Sequence, residues 1–485
     1  MALGHTTTDE QQIAITALKR CPWMVEPALV PDRRARQRGL RYRLRWRMRH
    51  AARAFSRPPG QRDVSDRMRC HLTFQGRRMT PRQTVRLSVA LLSMVSSWNL
   101  LADSALTNVP AEDTVPANGL ARTPPMGWNS WNHFAGRITA ADVRDMADAM
   151  VATGMRDAGY VYVNIDDTWE GERDASGAIR PNDKFGDMSA LAAYVHARGL
   201  KLGIYSSPGG KTCAGFAGSH GHEDQDARTF AAWGVDFLKY DYCGATLLYP
   251  VTRGNQEALF RRMGHALQKT GRPIVYSLSQ SGDFDIWTWG PQTGANMWRT
   301  TPDISDNWES MSKRGFRQLD LTAWSGPGHW NDPDMLEIGN GGMTADEYRT
   351  QMSLWSILPA PLLAGNDLRT MNTVTKEILL NREVIAVDQD PAGTPARRLE
   401  TRGEVEVLVR DMSDGSIVVG FFNRGDQTAK VGLDWRRLGD RFGHGVAARD
   451  LWRHTAVTPG SAFTGTVPRH GVVLLRVVPA PIGTN

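Results

Sequence analysis

Four short apolar runs in this chain each end on a carboxylate: YVNIDD on Asp166 and Asp167, FLKYD on Asp241, WRTTPD on Asp303 and HWNDPD on Asp334. A strand buried on both faces is apolar throughout, so an acid recurring at the C-terminal end of such runs points to parallel strands converging on one polar site. From Gly119 onward the runs alternate with amphipathic segments, the order expected of a parallel α/β fold. The pattern predicts eight strands, near residues 126–131, 160–166, 201–206, 235–241, 274–278, 297–300, 329–335 and 361–364. Helices are predicted over 139–156, 188–197, 224–233, 255–269, 305–316 and 344–357, the first opened by a capping box from Thr139 to Asp142. Past Pro391 the texture changes to short alternating runs at 405–409, 416–422, 429–433 and 472–477, separated by Gly, Asp and Asn turns. That is the signature of a small antiparallel β-sandwich.

Charge divides the chain. The 485 residues carry a formal net charge of +7, but residues 1–78 hold 18 Arg or Lys against 6 Asp or Glu, so the remainder carries 7 − 12 = −5. A basic arm of this kind raises a nucleic-acid reading, for which Tyr42 and Trp46 are the limited aromatic support. The segment after Arg78 suggests another origin. Met79 is followed by Arg82 and Arg86, an apolar run over 87–101 and the small-x-small pattern Ala102-Asp103-Ser104, the layout of a secretory signal peptide. The expectation is therefore a basic extension 1–78 from an over-extended gene start, a signal peptide over 79–104, and a secreted or periplasmic product without nucleic-acid or membrane partners. Ser93, Ser96, Ser97 and Asn99 interrupt the apolar run, which disfavours a membrane span. Of four cysteines, Cys213 and Cys243 fall in the exported part, where pairing competes with two buried free thiols.

Asp241 and Asp303 end different strands. Lys239 lies two residues before Asp241 on the same strand face, where it helps hold that acid ionised, and Arg299 lies four residues before Asp303. A retaining glycosidase needs two such carboxylates, one as nucleophile and one as acid then base. Counted as carboxylates alone, these residues fit an acidic metal cluster or ordinary helix caps equally well. The doublet Asp166-Asp167 serves one ligand only where its strand ends or bulges, because neighbours on a strand face opposite ways. Trp131 and Trp169 are candidate platforms for a sugar's C–H face, with core packing as the alternative for either. His220 and His222 have no third ligand at a usual spacing and read as loop histidines.

Taken in order, GWNSW (127–131), YVNIDD (162–167), LGIYSS with TCAG (202–215), WGVDFLKYD (233–241), WRTTPDI (298–304), GHWNDPDML (328–336), APLLAGNDL (360–368) and AVDQDP (386–391) resemble glycoside hydrolase family 27, the α-galactosidase family. The resemblance implies a (β/α)8 TIM barrel over 119–392, a C-terminal antiparallel β-sandwich over 393–480, and an exo-glycosidase that works without a cofactor or metal. By the same resemblance Asp241 matches the nucleophile and Asp303 the acid/base. Asp166 and Asp167 match the carboxylates that take the sugar's 4- and 6-hydroxyls, with Trp131 beside them. Tyr205, Lys239, Arg299 and Asp334 match further pocket contacts, and Cys213 and Cys243 match a disulfide next to the nucleophile.

Three positions depart from the family pattern. Thr168 follows the Asp doublet where Cys or Gly is common, and the chain reads SLSQSG (277–282) where the family has SLCEWG or SLCQYG. Ser279 and Ser281 thus stand for the Cys and aromatic that, by resemblance, approach the sugar's 2-substituent. The expected substrate is a terminal α-D-galactoside, with α-N-acetylgalactosaminide and β-L-arabinopyranoside as alternatives.

Overall fold

The computed structural model describes residues 108–480; the expected basic extension 1–78 and signal peptide 79–104 lie outside the described residues. Eight parallel strands are present: β1 Met126–Asn129, β2 Tyr162–Asn164, β3 Lys201–Ser206, β4 Phe237–Tyr240, β5 Val275–Leu278, β6 Met297–Arg299, β7 Trp330–Asp332 and β8 Leu362–Ala364. Each pairs in parallel with its sequence neighbour, β8 pairs with β1, and a bridge from Leu336 to Ala364 closes the ring just beyond β7. This is a (β/α)8 barrel. Every residue of β1, β2, β5, β6, β7 and β8 is buried, because helices cover the outside while side chains fill the inside. Space inside is tight at Gly203, where an added Cβ would lie 1.9 Å from Asn164 Oδ1 and 3.0 Å from Phe237 Cβ.

The first long helix, α1 (Ala140–Ala152), opens on the expected capping box: Asp142 N–H donates to Thr139 Oγ1 at 3.2 Å and Thr139 N–H donates to Asp142 Oδ2 at 3.1 Å. A single helix over 139–156 does not form. Gly154 takes φ 85°, the chain turns, and a separate turn of helix, Met155–Ala158, follows before Gly159 at φ 111° leads into β2. Between β5 and β6 the outer layer is made of 3-10 turns rather than an α-helix. Helices α2 (Met188–His196), α3 (Glu223–Trp233), α4 (Arg253–Lys269), α5 (Trp308–Arg317) and α6 (Ala345–Ile357) complete the outer layer up to β8. Among the described residues no helix is long and apolar enough to cross a membrane.

The C-terminal part is a β-sandwich of a six-stranded sheet and a two-stranded one. The larger sheet has β9 (Arg397–Arg402) at one edge and centres on β10 (Val405–Asp411), β11 (Ile417–Asn423) and the last strand, Val472–Pro479, all antiparallel. Strands over 397–402, 446–450, 455–456 and 462–467, absent from the sequence expectation, extend the sheets. Their alternation is masked by exposed polar positions, as in RRLETR, where no residue is fully buried. The central strands are buried on both faces for a specific reason. Val407, Val419, Phe421 and Leu475 face the sandwich interior, whereas Leu408, Val418, Phe422 and Leu474 belong to the barrel's own core. The sandwich is therefore welded to the barrel through side chains at alternate positions of the same strands. Gly203→Ala is expected to destabilise the barrel by about 1–3 kcal/mol through overpacking, read as a lower urea midpoint with an unchanged m-value.

Candidate active site

A cavity of about 530 Å³ opens at the C-terminal ends of the barrel strands. Its wall includes Trp131, Asp166, Asp167, Tyr205, Cys213, Lys239, Asp241, Arg299, Asp303 and Asp334, gathered from the ends of six strands. Local backbone geometry explains how neighbouring acids reach one space. Strand β2 stops at Asn164, Asp166 N–H donates to Ser130 Oγ at 3.0 Å, and Thr168 takes φ 83°, so the doublet lies on a turn and both carboxylates face the cavity. Asp334 sits at φ 95°, a strained value for a non-glycine residue. It is held there by Trp355 Nε1 donating to its carbonyl at 2.8 Å and by its own N–H donating to Asp332 Oδ1 at 2.8 Å.

The acids are organised around two buried cations. Lys239 Nζ lies 2.8 Å from Asp166 Oδ2, which also accepts from Asn129 Nδ2 at 2.8 Å. Arg299 bridges Asp334 at 2.8 Å and Asp303 at 3.1 Å. Asp167 is satisfied by the Thr212 hydroxyl and the Ala214 N–H, each at 2.8 Å. Asp241 accepts from Tyr205 OH at 3.1 Å and from Tyr242 N–H at 2.8 Å. The direct ion pair of Lys239 is thus with Asp166; it acts on Asp241 through space.

Proton affinities follow from this arrangement. Burial pushes Asp241 up to about 6, and the charge of Lys239 keeps it from rising further. Burial works against the Lys239 charge, but Asp166 and Asp241 outweigh it and push its pKa up to about 12. Burial likewise raises Asp303, yet Arg299 and Lys239 overcome it and hold that carboxyl below the usual range. Asp303 differs from Asp241 in access as well, its side chain being 86% exposed at the mouth. The two acids therefore occupy contrasting environments within one cavity.

The α-galactosidase A family model matches residues 123–390, and the model for the α-galactosidase C-terminal β-sandwich domain matches residues 402–477. The chain belongs to the α-galactosidase family. It is 47% identical over 378 residues to an α-galactosidase of Cyamopsis tetragonoloba, covering 76% of this chain and 90% of that one. It is 42% identical over 383 residues to α-galactosidase A of Cellvibrio japonicus, covering 74% and 93%. The crystal structure of α-galactosidase I from Mortierella vinacea superposes with a TM-score of 0.72 at 36% identity, covering 75% of this chain and 98% of that one.

Within this α-galactosidase-family cavity several sequence expectations change. Ser279 and Ser281 do not reach its wall. Ser279 is buried with its N–H on the Tyr240 carbonyl, and Ser281 sits at φ 69° in a loop folded around Gln280, whose Oε1 accepts from the Gly282 and Asp283 N–H groups. Trp169 is no sugar platform: it is fully buried, packs edge-on against Phe230 and Trp233, and donates to the Tyr205 carbonyl at 2.8 Å. His222 opens α3 and contacts Gln225, while His220 packs on Tyr249, both as loop histidines. Cys213 and Cys243 form a disulfide, so the group Cys213, Asp241, Cys243 offers no free thiolates to a metal. Asp166 and Asp334, two of the carboxylates that an acidic cation cluster would draw on, have Lys239 and Arg299 as counter-charges.

Sequence reasoning missed Asn132, Asp306, Glu337 and Asn340, which also line the cavity. Glu337 bonds the side chains of both Asn132 and Asn340, and burial pushes its pKa up to about 7. The signal was present in LEIGN directly after HWNDPDM, an acid in an otherwise apolar stretch. For Asp241 the expected observation is an aspartate carboxyl titrating near pH 6 in a carbon-detected NMR titration, told apart from Asp332, which burial raises to a similar value, by its loss in Asp241→Asn and its shift to higher pH in Lys239→Met, since removing the cation removes a force that favours ionisation.

Proposed function

We propose that this protein is a retaining exo-glycosidase that removes terminal α-D-galactosyl residues from galacto-oligosaccharides, polysaccharides or glycoconjugates, with Asp241 as nucleophile and Asp303 as acid/base. The observation that carries the reading is the meeting, in one cavity, of a partly buried acid just past β4, beside the Lys239 cation of that strand, and an exposed acid on the loop after β6, next to the hydrogen-bonding doublet Asp166-Asp167. Asp166 and Asp167 take the sugar's 4- and 6-hydroxyls, and Trp131, partly exposed in the wall, faces the ring. Tyr205, Lys239, Arg299 and Asp334 fix the acids and add polar contacts to the sugar.

In the first step the Asp303 carboxyl protonates the glycosidic oxygen while the Asp241 carboxylate attacks the anomeric carbon. The bond from that carbon to the leaving oxygen breaks and a galactosyl ester on Asp241 forms. In the second, Asp303 takes a proton from water, the water oxygen attacks the same carbon, and Asp241 is released as carboxylate, so the configuration is retained. In the open site Arg299 holds Asp303 ionised, and a bound aglycone that excludes water from it favours the protonated acid. No residue in this scheme asks for a metal or cofactor.

The names carried by the relatives favour α-galactoside over α-N-acetylgalactosaminide and β-L-arabinopyranoside. The Cys213–Cys243 disulfide supports export to an oxidising compartment, outside the cell or in a periplasm.

Asp241→Asn is expected to lower kcat on nitrophenyl α-galactoside by about 10³-fold or more; near wild-type turnover would overturn the assignment. On a panel of nitrophenyl glycosides of the three candidate sugars, the α-galactoside is expected to have the highest kcat/KM. That constant should fall as pH drops through about 6, because Asp241 must be ionised to attack.

A further inference from the structure

The loop that carries Asp303 is held largely by the helix that follows it. Arg314 of α5 donates from Nε to the Pro302 carbonyl at 2.8 Å and from a second nitrogen to the Asp303 carbonyl, while Ser305 N–H donates to Ser310 Oγ at 2.8 Å. Asn307 caps the same helix by accepting from Ser310 N–H at 2.9 Å. From the barrel side, Ile304 N–H donates to Asp334 Oδ2 at 2.7 Å. The Asp303 side chain is exposed and is held at its tip by Arg299 at 3.1 Å, so the aim of its carboxyl depends on that contact and on this backbone, and the backbone depends on where α5 lies.

Helix α5 is clamped at both ends by the C-terminal sandwich. In its last turn Phe316 packs edge-on to Phe422 of β11, with ring centroids 6.0 Å apart, and the Arg424 guanidinium sits 4.5 Å from the Phe316 centroid. At its first residue the Trp308 indole stacks on the His470 imidazole, centroids 4.0 Å apart and planes within 10°. His470 is a turn residue of the sandwich, yet its side chain is only 5% exposed. Its Nδ1 lies 2.7 Å from Glu347 and its Nε2 3.4 Å from Asp426, and its carbonyl accepts from the Thr350 hydroxyl at 2.6 Å. Its backbone sits at φ 54°, a left-handed conformation that glycine takes freely and that asparagine and histidine take more readily than most side chains. This left-handed turn seats a large, buried ring that is stacked on one face and engaged at its nitrogens, so the ring itself has a task.

We infer that His470 is a positioning residue for the acid/base: through its stack on Trp308 the C-terminal sandwich fixes α5, and through α5 it sets the aim of the Asp303 carboxyl. The inference rests on the reading of Asp303 as acid/base. Its mark is chemical selectivity. A misaimed acid slows departure of a leaving group that must be protonated and spares one that leaves as a stable anion.

The test compares kcat/KM, which reports the first bond-breaking step, for methyl α-galactoside and 2,4-dinitrophenyl α-galactoside. His470→Asn, which suits the left-handed backbone and removes the stack, is expected to lose about tenfold or more on the methyl glycoside and less than about threefold on the dinitrophenyl one. Trp308→Leu removes the same stack from the barrel side and should show the same selectivity, with the double variant losing no more than the worse single one; it also carries the test should His470→Asn fail to fold. Equal losses on the two substrates, or no loss on the methyl glycoside, would overturn the inference. Asp303→Asn serves as the control: if it too shows no dependence on the leaving group, the assignment of Asp303 has failed; if it shows that dependence and the stack variants do not, the role of His470 has failed.

Discussion

Two buried cations make this barrel mouth possible. Seven carboxylates, Asp166, Asp167, Asp241, Asp303, Asp306, Asp334 and Glu337, line one cavity, and without nearby positive charge their mutual repulsion and loss of water would drive several of them to the neutral form. Lys239 and Arg299 divide the task. Lys239, pointing inward from β4, pairs with Asp166 and keeps Asp241 only moderately raised. Arg299, from the end of β6, ties Asp334 to Asp303 across two loops. The pairs are costly to desolvate, and their value lies in fixed geometry more than in stability. That fixed geometry is what an enzyme of this chemistry needs before substrate arrives.

The rest of the molecule supports those charges at increasing distance. Strained residues such as Thr168 and Asp334 turn strand ends so that successive acids face the same cavity, and the surrounding hydrogen bonds over-determine them. The disulfide ties the loop after β3 to the residue two beyond Asp241, so the loop carrying that acid cannot wander. Farther out, the sandwich shares its central strands with the barrel core and grips α5, so it is part of the barrel's mechanical frame rather than an appendage.

The barrel was largely legible in the sequence because its strands are short, buried and regularly spaced, and every one of the eight expected strands is present. The acids were legible because a carboxylate at the end of an apolar run has few structural excuses. What one dimension concealed was direction. Trp169 and Trp131 are two of sixteen tryptophans, and nothing in their spacing tells that one is core while the other lines the cavity. Ser279 and Ser281 follow β5 at the right height, but the Gln280-centred turn that keeps them off the wall depends on partners such as Gln256, 24 residues away. The polar edge strands of the sandwich escaped for a related reason, since exposed charged residues hide a period of two.

The central claim is that Asp241, the partly buried acid at the end of β4, becomes covalently attached to the sugar. Incubation with an activated 2-deoxy-2,2-difluoro α-galactoside, which slows the second step, followed by peptide mapping by mass spectrometry, tests it directly. The account predicts one added sugar on the peptide carrying Asp241, with wild-type protein losing activity as the label accumulates. A label on Asp303, Asp334 or the Asp166-Asp167 doublet instead would contradict it.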